Sequence, residues 1–290
     1  PNTNHTGLYV AQEKGYFEDE GLEVEIVQPP EDGADALVAS GKAQVGISFQ
    51  DTMAPGVVGE DALPTTAVAA VVQHNTSGII SRKGEGMDTP KGLEGKKYAT
   101  WDAPIEKAMM ENVVEADGGD FSKVELIPST VTDEVSALES KSVDAIWIFY
   151  AWAGVATEVA GLETDYFAFK DINPAFDYYT PVIIGNNEFL EKEPETAKKF
   201  LSAVKKGYED AIEDPDGAAE ILCEAAPELD QELVKASQEY LKDQYIADAD
   251  RWGYIDPDRW NLFYNWLNEN GLTENQIPEN TGFSNEYLPE

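Results

Sequence analysis

Residues 97–149 read KYATWDAPIEKAMMENVVEADGGDFSKVELIPSTVTDEVSALESKSVDAIWIF, and the order of patterns in this stretch decides the fold class. Lys97 to Thr100 is a short strand-like run, and Pro104 to Ala116 carries apolar residues at helical spacing behind a proline suited to a first helical position. Val124 to Ile127 is a second strand, Asp133 to Glu139 a second helix, and Val143 to Phe149 a strongly apolar third strand. Short strands alternating with helices predict an α/β fold with doubly wound sheets and helices on the sheet faces.

The same alternation extends to both sides. Toward the N-terminus, Thr6 to Lys14 reads as a helix stopped by Gly15, and Leu22-Glu23-Val24-Glu25-Ile26 alternates with period two. A helix from Gly33 to Ser40 and strands from Gln44 to Ile47 and Thr65 to Val72 follow. Lys83 to Gly95 is rich in Gly, Lys, Glu and Pro without periodicity and reads as a connection between lobes. Toward the C-terminus, a strand at Thr180 to Ile184 precedes four helices, Pro194 to Asp214, Gly217 to Ala226, Gln231 to Tyr245 and Pro257 to Asn270. Two α/β series and a helical tail predict two lobes with a ligand cleft, lobe A being residues 1–82 plus 182–290 and lobe B residues 83–181.

Composition removes several function classes. The 290 residues include 56 acidic and 20 basic side chains, a formal charge of −36 and a pI near 4.1, so a nucleic-acid partner is excluded: phosphate backbones require clustered cations. The acid excess fits a solvated surface that tolerates salt. A single cysteine, Cys223, permits neither an intramolecular disulfide nor a multi-cysteine zinc site, and its helical context suits an apolar filler. No run of 18 apolar residues exists. The chain opens at Pro1-Asn2-Thr3-Asn4 directly before a helical pattern, from which an upstream strand and a leader are expected.

Catalytic signatures are missing where they would be needed: no G-x-S-x-G, no G-x-x-x-x-G-K-[ST], no G-x-G-x-x-G after a strand and no H-E-x-x-H. His5 and His74 are the two histidines, and neither lies at metal-ligand spacing, so no catalytic residue, metal or cofactor is expected. Aromatic and amide side chains do gather at strand ends, in Asn4-His5-Thr6, Ser48-Phe49-Gln50, His74-Asn75-Thr76-Ser77, Trp101, Trp147 to Trp152 and Tyr178-Tyr179. Aromatic faces offer stacking area, and amides and hydroxyls satisfy ring nitrogens, which together suit a flat ring with polar edges. Trp147, Phe149, Trp252, Trp260 and Trp266 also have the apolar surroundings of core residues.

The segments PNTNHTGLYVAQEKGYFEDEGLEVEI, VGISFQ, AAVVQHNTSGI, GLEGKKYATWDAPIEKA, GGDFSKVE, DAIWIFYAWAG and DYYTPV closely resemble the importer substrate-binding proteins for thiamine pyrimidine precursors, the formylaminopyrimidine-binding family. The resemblance spans at least residues 1–185. It implies a type II periplasmic-binding-protein-like fold and a non-enzymatic, extracytoplasmic component of an ABC transporter. It further implies N-formyl-4-amino-5-aminomethyl-2-methylpyrimidine or hydroxymethylpyrimidine as ligand, a membrane permease and ATPase as partners, a monomer, and a free or lipoprotein form. The wider superfamily includes relatives that bind riboflavin precursors and a fungal pyrimidine synthase of thiamine biosynthesis. That synthase carries a cofactor-linking lysine and a sacrificial histidine where this chain has Ser48 and Thr52, and a cysteine-rich iron motif with no counterpart here. On this reading the ligand contacts come from Asn4, His5, Tyr9, Ser48 and Gln50 in lobe A and from Trp101, Glu106, Trp147 and Tyr150 in lobe B. Glu106 is open to two roles, a helix-dipole partner or an acceptor for a ligand amino group.

Overall fold

The computed structural model describes all 290 residues and divides into two compact units, residues 1–74 with 178–290, and residues 75–177. The crossings therefore fall at 74/75 and 177/178, not at the expected 82/83 and 181/182. The reason is a strand that the sequence pattern hid, SGIISR, which lies inside the second unit.

The first unit holds a three-stranded antiparallel sheet in which β8 (Val182–Asn186) runs between β1 (Val45–Ser48) and β2 (Thr65–Ala70). β8 is buried along its whole length, as its apolar run Val182–Ile184 requires of a central strand. Alternation along the sequence specifies such elements but not their directions, and the pairing here is antiparallel throughout. The helix Thr6–Glu13 crosses the 20-residue helix Pro194–Glu213 at a glycine pair. A Cβ on Gly207 would stand 2.0 Å from the Gly7 carbonyl oxygen, and one on Gly7 would meet the Tyr208 ring at 2.3 Å, so both side chains must be absent for the helix axes to approach. Asp214, Asp230 and Asp256 cap three tail helices through their side chains, two of them just before a proline at the first helical position.

Leu22–Ile26 does not form a strand. Leu22, Val24 and Ile26 are half-buried and Glu23 and Glu25 exposed, so the period-two pattern persists, but no neighbouring strand supplies ladder partners. The Leu22 N–H donates to the Phe17 carbonyl at 2.8 Å and the Gln12 side-chain amide to the Val24 carbonyl at 3.3 Å, beside an open groove of about 530 Å³ lined by Gln12 and Glu23 through Ile26. Alternation specifies which face of a segment is apolar; a strand also needs an edge to pair with.

The second unit is built on a five-stranded mixed sheet of order β5-β4-β6-β3-β7. β4 (Lys97–Thr100) lies parallel to both β5 (Glu125–Pro128) and β6 (Ala145–Phe149), as the strand–helix–strand reading predicts. β3 (Ser77–Arg82) and β7 (Thr164–Ala168) complete it antiparallel to their neighbours. Gly78 lets β7 approach: a Cβ there would sit 2.0 Å from the Phe167 carbonyl oxygen. Register sorts the side chains by face. Trp147, Ile79 and Phe167 are paired across three strands, whereas Ile80, Ile146 and Ile148 join Ala99, Leu138, Val143 and Ala153 in one apolar cluster. No helix of the molecule is long and apolar enough to cross a membrane.

Candidate functional site

In the second unit, the aromatic residues come together where β4 ends. Trp101 is 48% exposed, and its ring meets Trp147 edge-on at 5.0 Å. Trp147 is 9% exposed and rests on Phe169 at 4.2 Å, which in turn meets Phe167 at 6.4 Å. An exposed tryptophan thus stands on a buried aromatic stack, a surface suited to a flat ring.

The loop that carries Trp101 is fixed from below. Glu106, in the first turn of helix Pro104–Ala116, is only 2% exposed: the Tyr98 hydroxyl donates to its Oε1 at 2.5 Å and the Thr100 hydroxyl to its Oε2 at 2.9 Å. Thr100 Oγ1 also accepts from the Asp102 amide at 2.9 Å. Asp102 has φ +63°, a left-handed conformation uncommon for a residue with a side chain, and it sits beside the exposed ring. Burial pushes the Glu106 carboxyl above its usual range, partly offset by the hydroxyls that bind it. Both Glu106 oxygens therefore accept hydrogen bonds inside the unit, and through Thr100 they tie the residue to the loop that carries Trp101. Tyr150 follows β6 directly. It opens a π-helical turn, Tyr150–Gly154, and its hydroxyl donates to Glu158. Its ring lies 4.8 Å from Tyr166 and over Gly154, on the apolar cluster away from Trp147.

In the first unit the expected residues at the end of β1 lie inside the protein. Ser48 and Gln50 are fully buried. Ser48 donates to Asp35 at 2.7 Å; the Gln50 side chain donates to the Trp260 carbonyl and accepts from the Tyr179 amide, both at 2.9 Å. The chain is extended at Phe49, which is 38% exposed, and turns helical from Gln50, so Asp51 lies half-buried in the short helix Gln50–Met53. Burial drives the Asp51 carboxyl up to about 6, opposed by hydrogen bonds that include the Tyr178 hydroxyl. Sequence reasoning did not single out Asp51, whose surroundings depend on where the short helix Gln50–Met53 packs.

Asn4, His5 and Tyr9 are half-buried near the start of the chain, with His5 and Tyr9 one helical turn apart. Burial, reinforced by the nearby terminal ammonium, lowers His5 to about 4, so its imidazole is neutral at physiological pH. Asp51 and His5 have opposite effects on stability in one pH window. A histidine depressed from 6.5 gives stability that is lost as pH falls from about 6.5 toward 4, whereas an aspartate raised from 3.8 gives stability that is lost as pH rises from about 4 to 6. Asp51→Asn is therefore expected to raise stability at pH 7 by about 1–3 kcal/mol and to change it little at pH 4. Urea unfolding at the two pH values checks this, and equal effects at both would discount the buried charge.

A family model described as NMT1/THI5 like matches residues 2–218. The chain belongs to this family. Among curated NMT1/THI5-like relatives, a formylaminopyrimidine-binding protein of Halalkalibacterium halodurans is 30% identical, covering 98% of this chain and 87% of the relative. A 4-amino-5-hydroxymethyl-2-methylpyrimidine phosphate synthase of Saccharomyces cerevisiae is 25% identical over 99% of this chain and 85% of its own. Among solved structures, the alkanesulfonate-binding protein of Xanthomonas axonopodis pv. citri bound to MOPS superposes with a TM-score of 0.69 at 12% identity, covering 94% of this chain and 92% of that one. At that identity the likeness shows the fold alone, which is the periplasmic-binding-protein fold expected from the sequence.

Proposed function

We propose that this NMT1/THI5-like chain is the extracytoplasmic solute-binding component of an ABC importer and that its solute is a thiamine pyrimidine precursor, an N-formyl-aminomethylpyrimidine or hydroxymethylpyrimidine. The observation that carries the reading is the exposed Trp101 ring, held by the Tyr98–Glu106–Thr100 chain of hydrogen bonds on a stack of Trp147 and Phe169. An aminopyrimidine presents a π-face to such a platform and donors and acceptors at its rim. The name of the Halalkalibacterium relative supports the same solute class. Hinge closure is the proposed capture step, and the closed form of a monomer, free or lipid-anchored, would be read by a permease and its ATPase. A binding role is favoured over synthase chemistry because Ser48 offers no amine for a Schiff base and its hydroxyl is committed to Asp35.

Mass spectrometry of solute carried by the purified protein, with calorimetry, tests the proposal. Aminopyrimidines are expected to bind at micromolar affinity or better, and Trp101→Ala to weaken binding by about 1–3 kcal/mol with an unchanged melting temperature. Glu106→Gln, altered beneath the platform, should change affinity far less than Trp101→Ala. Tight binding of a sulfonate with no aminopyrimidine signal would sink the assignment.

A further inference from the structure

The segment Thr3–His5 forms a single 3₁₀ turn whose backbone is clamped by buried tail residues. Tyr208 donates its hydroxyl to the Asn4 carbonyl at 2.5 Å, and Tyr245 donates to the Thr3 carbonyl at 2.6 Å. Thr3 shares a hydrogen bond with Ser237 at 2.6 Å, and Thr6 donates to Gln238 at 2.8 Å. Gln238 in turn donates to Tyr245 at 2.9 Å. All six side chains are buried, so five hydrogen bonds, three of them to the side chains of Thr3, Thr6 and Gln238, hold the turn in one geometry.

On this fixed turn, two polar side chains stand without protein partners at their outer ends. The Asn4 N–H donates to Asn2 Oδ1 at 2.9 Å but its side-chain amide makes no hydrogen bond, and the His5 ring makes one, accepting the Asn2 backbone N–H at Nδ1 over 3.0 Å. His5 Nε2 is neither bonded nor sealed from solvent. A neutral imidazole has one donor and one acceptor nitrogen, so an Nδ1 that accepts places the proton on Nε2. The lowered pKa of His5 comes from burial and the nearby terminal ammonium, and no carboxylate is among its causes.

We propose that His5 is held as its Nε2–H tautomer and donates from that nitrogen to a hydrogen-bond acceptor on the captured solute. The turn therefore selects solutes that present a carbonyl oxygen, a hydroxyl oxygen or an unprotonated ring nitrogen to it, and disfavours those that present only donors, such as an ammonium group. This rests on the solute-binding reading above and adds the polarity of one contact.

The test has one arm without ligand and one with it. In ¹⁵N-labelled, ligand-free protein at pH 7, long-range proton–nitrogen correlations are expected to show His5 protonated at Nε2 only. In calorimetry with 4-amino-5-hydroxymethyl-2-methylpyrimidine, His5→Ala should weaken binding about 10–100-fold, the scale of a lost hydrogen bond in an enclosed site. His5→Gln, whose amide reaches the Nε2 position, should retain affinity within about 5-fold, and His5→Asn, which reaches only the Nδ1 position, should resemble alanine. Thermal melts of each variant separate folding from binding. A His5 ring protonated at Nδ1, or Gln and Asn variants with equal affinities, overturns the proposal. A wild-type protein that ignores the probe overturns the solute assignment instead, and the nitrogen spectrum still decides the tautomer.

Discussion

Replacing Arg82 by methionine is expected to lower the unfolding free energy by about 3–5 kcal/mol, the cost of leaving a buried charge network without its central cation. The Arg82 side chain, 10% exposed, lies at the end of the central strand β3. Its Nε and Nη2 donate to the two Glu85 oxygens, both at 2.9 Å, its Nη2 also reaches Asp144 Oδ1 at 2.5 Å, and its Nη1 donates to the Leu138 and Val143 carbonyls at 2.9 Å. Asp144 also accepts from the Lys97 amide at 2.8 Å, so the cluster joins β3, β4 and the approach to β6. Hydrogen bonding from Arg82 holds Glu85 below the ordinary carboxylate range. Methionine keeps the apolar stem but withdraws the guanidinium from the Leu138 and Val143 carbonyls and from the Glu85 and Asp144 carboxylates, whereas a rim ion pair such as Lys83–Glu163 is worth about 0–1 kcal/mol. Urea unfolding of the Arg82→Met and Lys83→Met variants compares the two, and similar losses would refute the network's importance.

Raising sodium chloride from 0.1 M to 2 M should raise the melting temperature by about 10 °C or more, corresponding to about 3–5 kcal/mol for a chain of this size. Two electrostatic effects compete. Screening weakens local pairs such as Lys192–Glu188 and Lys242–Glu239, but exposed pairs contribute little to begin with. It also relieves the repulsion among 56 acids served by only 20 lysines and arginines, and the excess of 36 decides the sign. The Debye length falls from about 10 Å at 0.1 M to about 3 Å at 1 M, so repulsion between neighbouring surface carboxylates is largely removed. Calorimetric scans across salt concentrations, with an isosmotic sucrose series as control, measure it. A flat or falling melting temperature would show that the acids are already accommodated at low salt.

The stretch 97–149 was legible because its signals agree: helix Pro104–Ala116 begins and ends where the proline and the apolar spacing place it, and β4, β5 and β6 lie within two residues of expectation. β3 was not legible. Ser77, Gly78, Ser81 and Arg82 give it a polar appearance, yet all six of its residues are buried, because Gly78 admits β7 and Arg82 is neutralised by Glu85 and Asp144. Losing this strand moved the expected crossing by eight residues, from 74/75 to 82/83. Leu22–Ile26 failed in the opposite way, with correct alternation but no ladder.

The site shows the same division at the level of single side chains. Trp101 was identifiable as a residue ending a strand, and its 48% exposure agrees. Glu106 was equally conspicuous, but whether its carboxylate meets a solute or its own unit depends on Tyr98 and Thr100, whose hydroxyls reach it only when β4 and the following helix are packed. Sequence by itself determined the alternation of strands and helices, the acid excess, and the family resemblance, since each follows from residue identity and spacing along the chain. Tertiary structure decided which face of each strand end is open. Extended backbone puts Ser48 and Phe49 on opposite faces without saying which is covered, and the packing of Asp35 against Ser48, and of Trp260 and Tyr179 against Gln50 in the helix that follows, decides it.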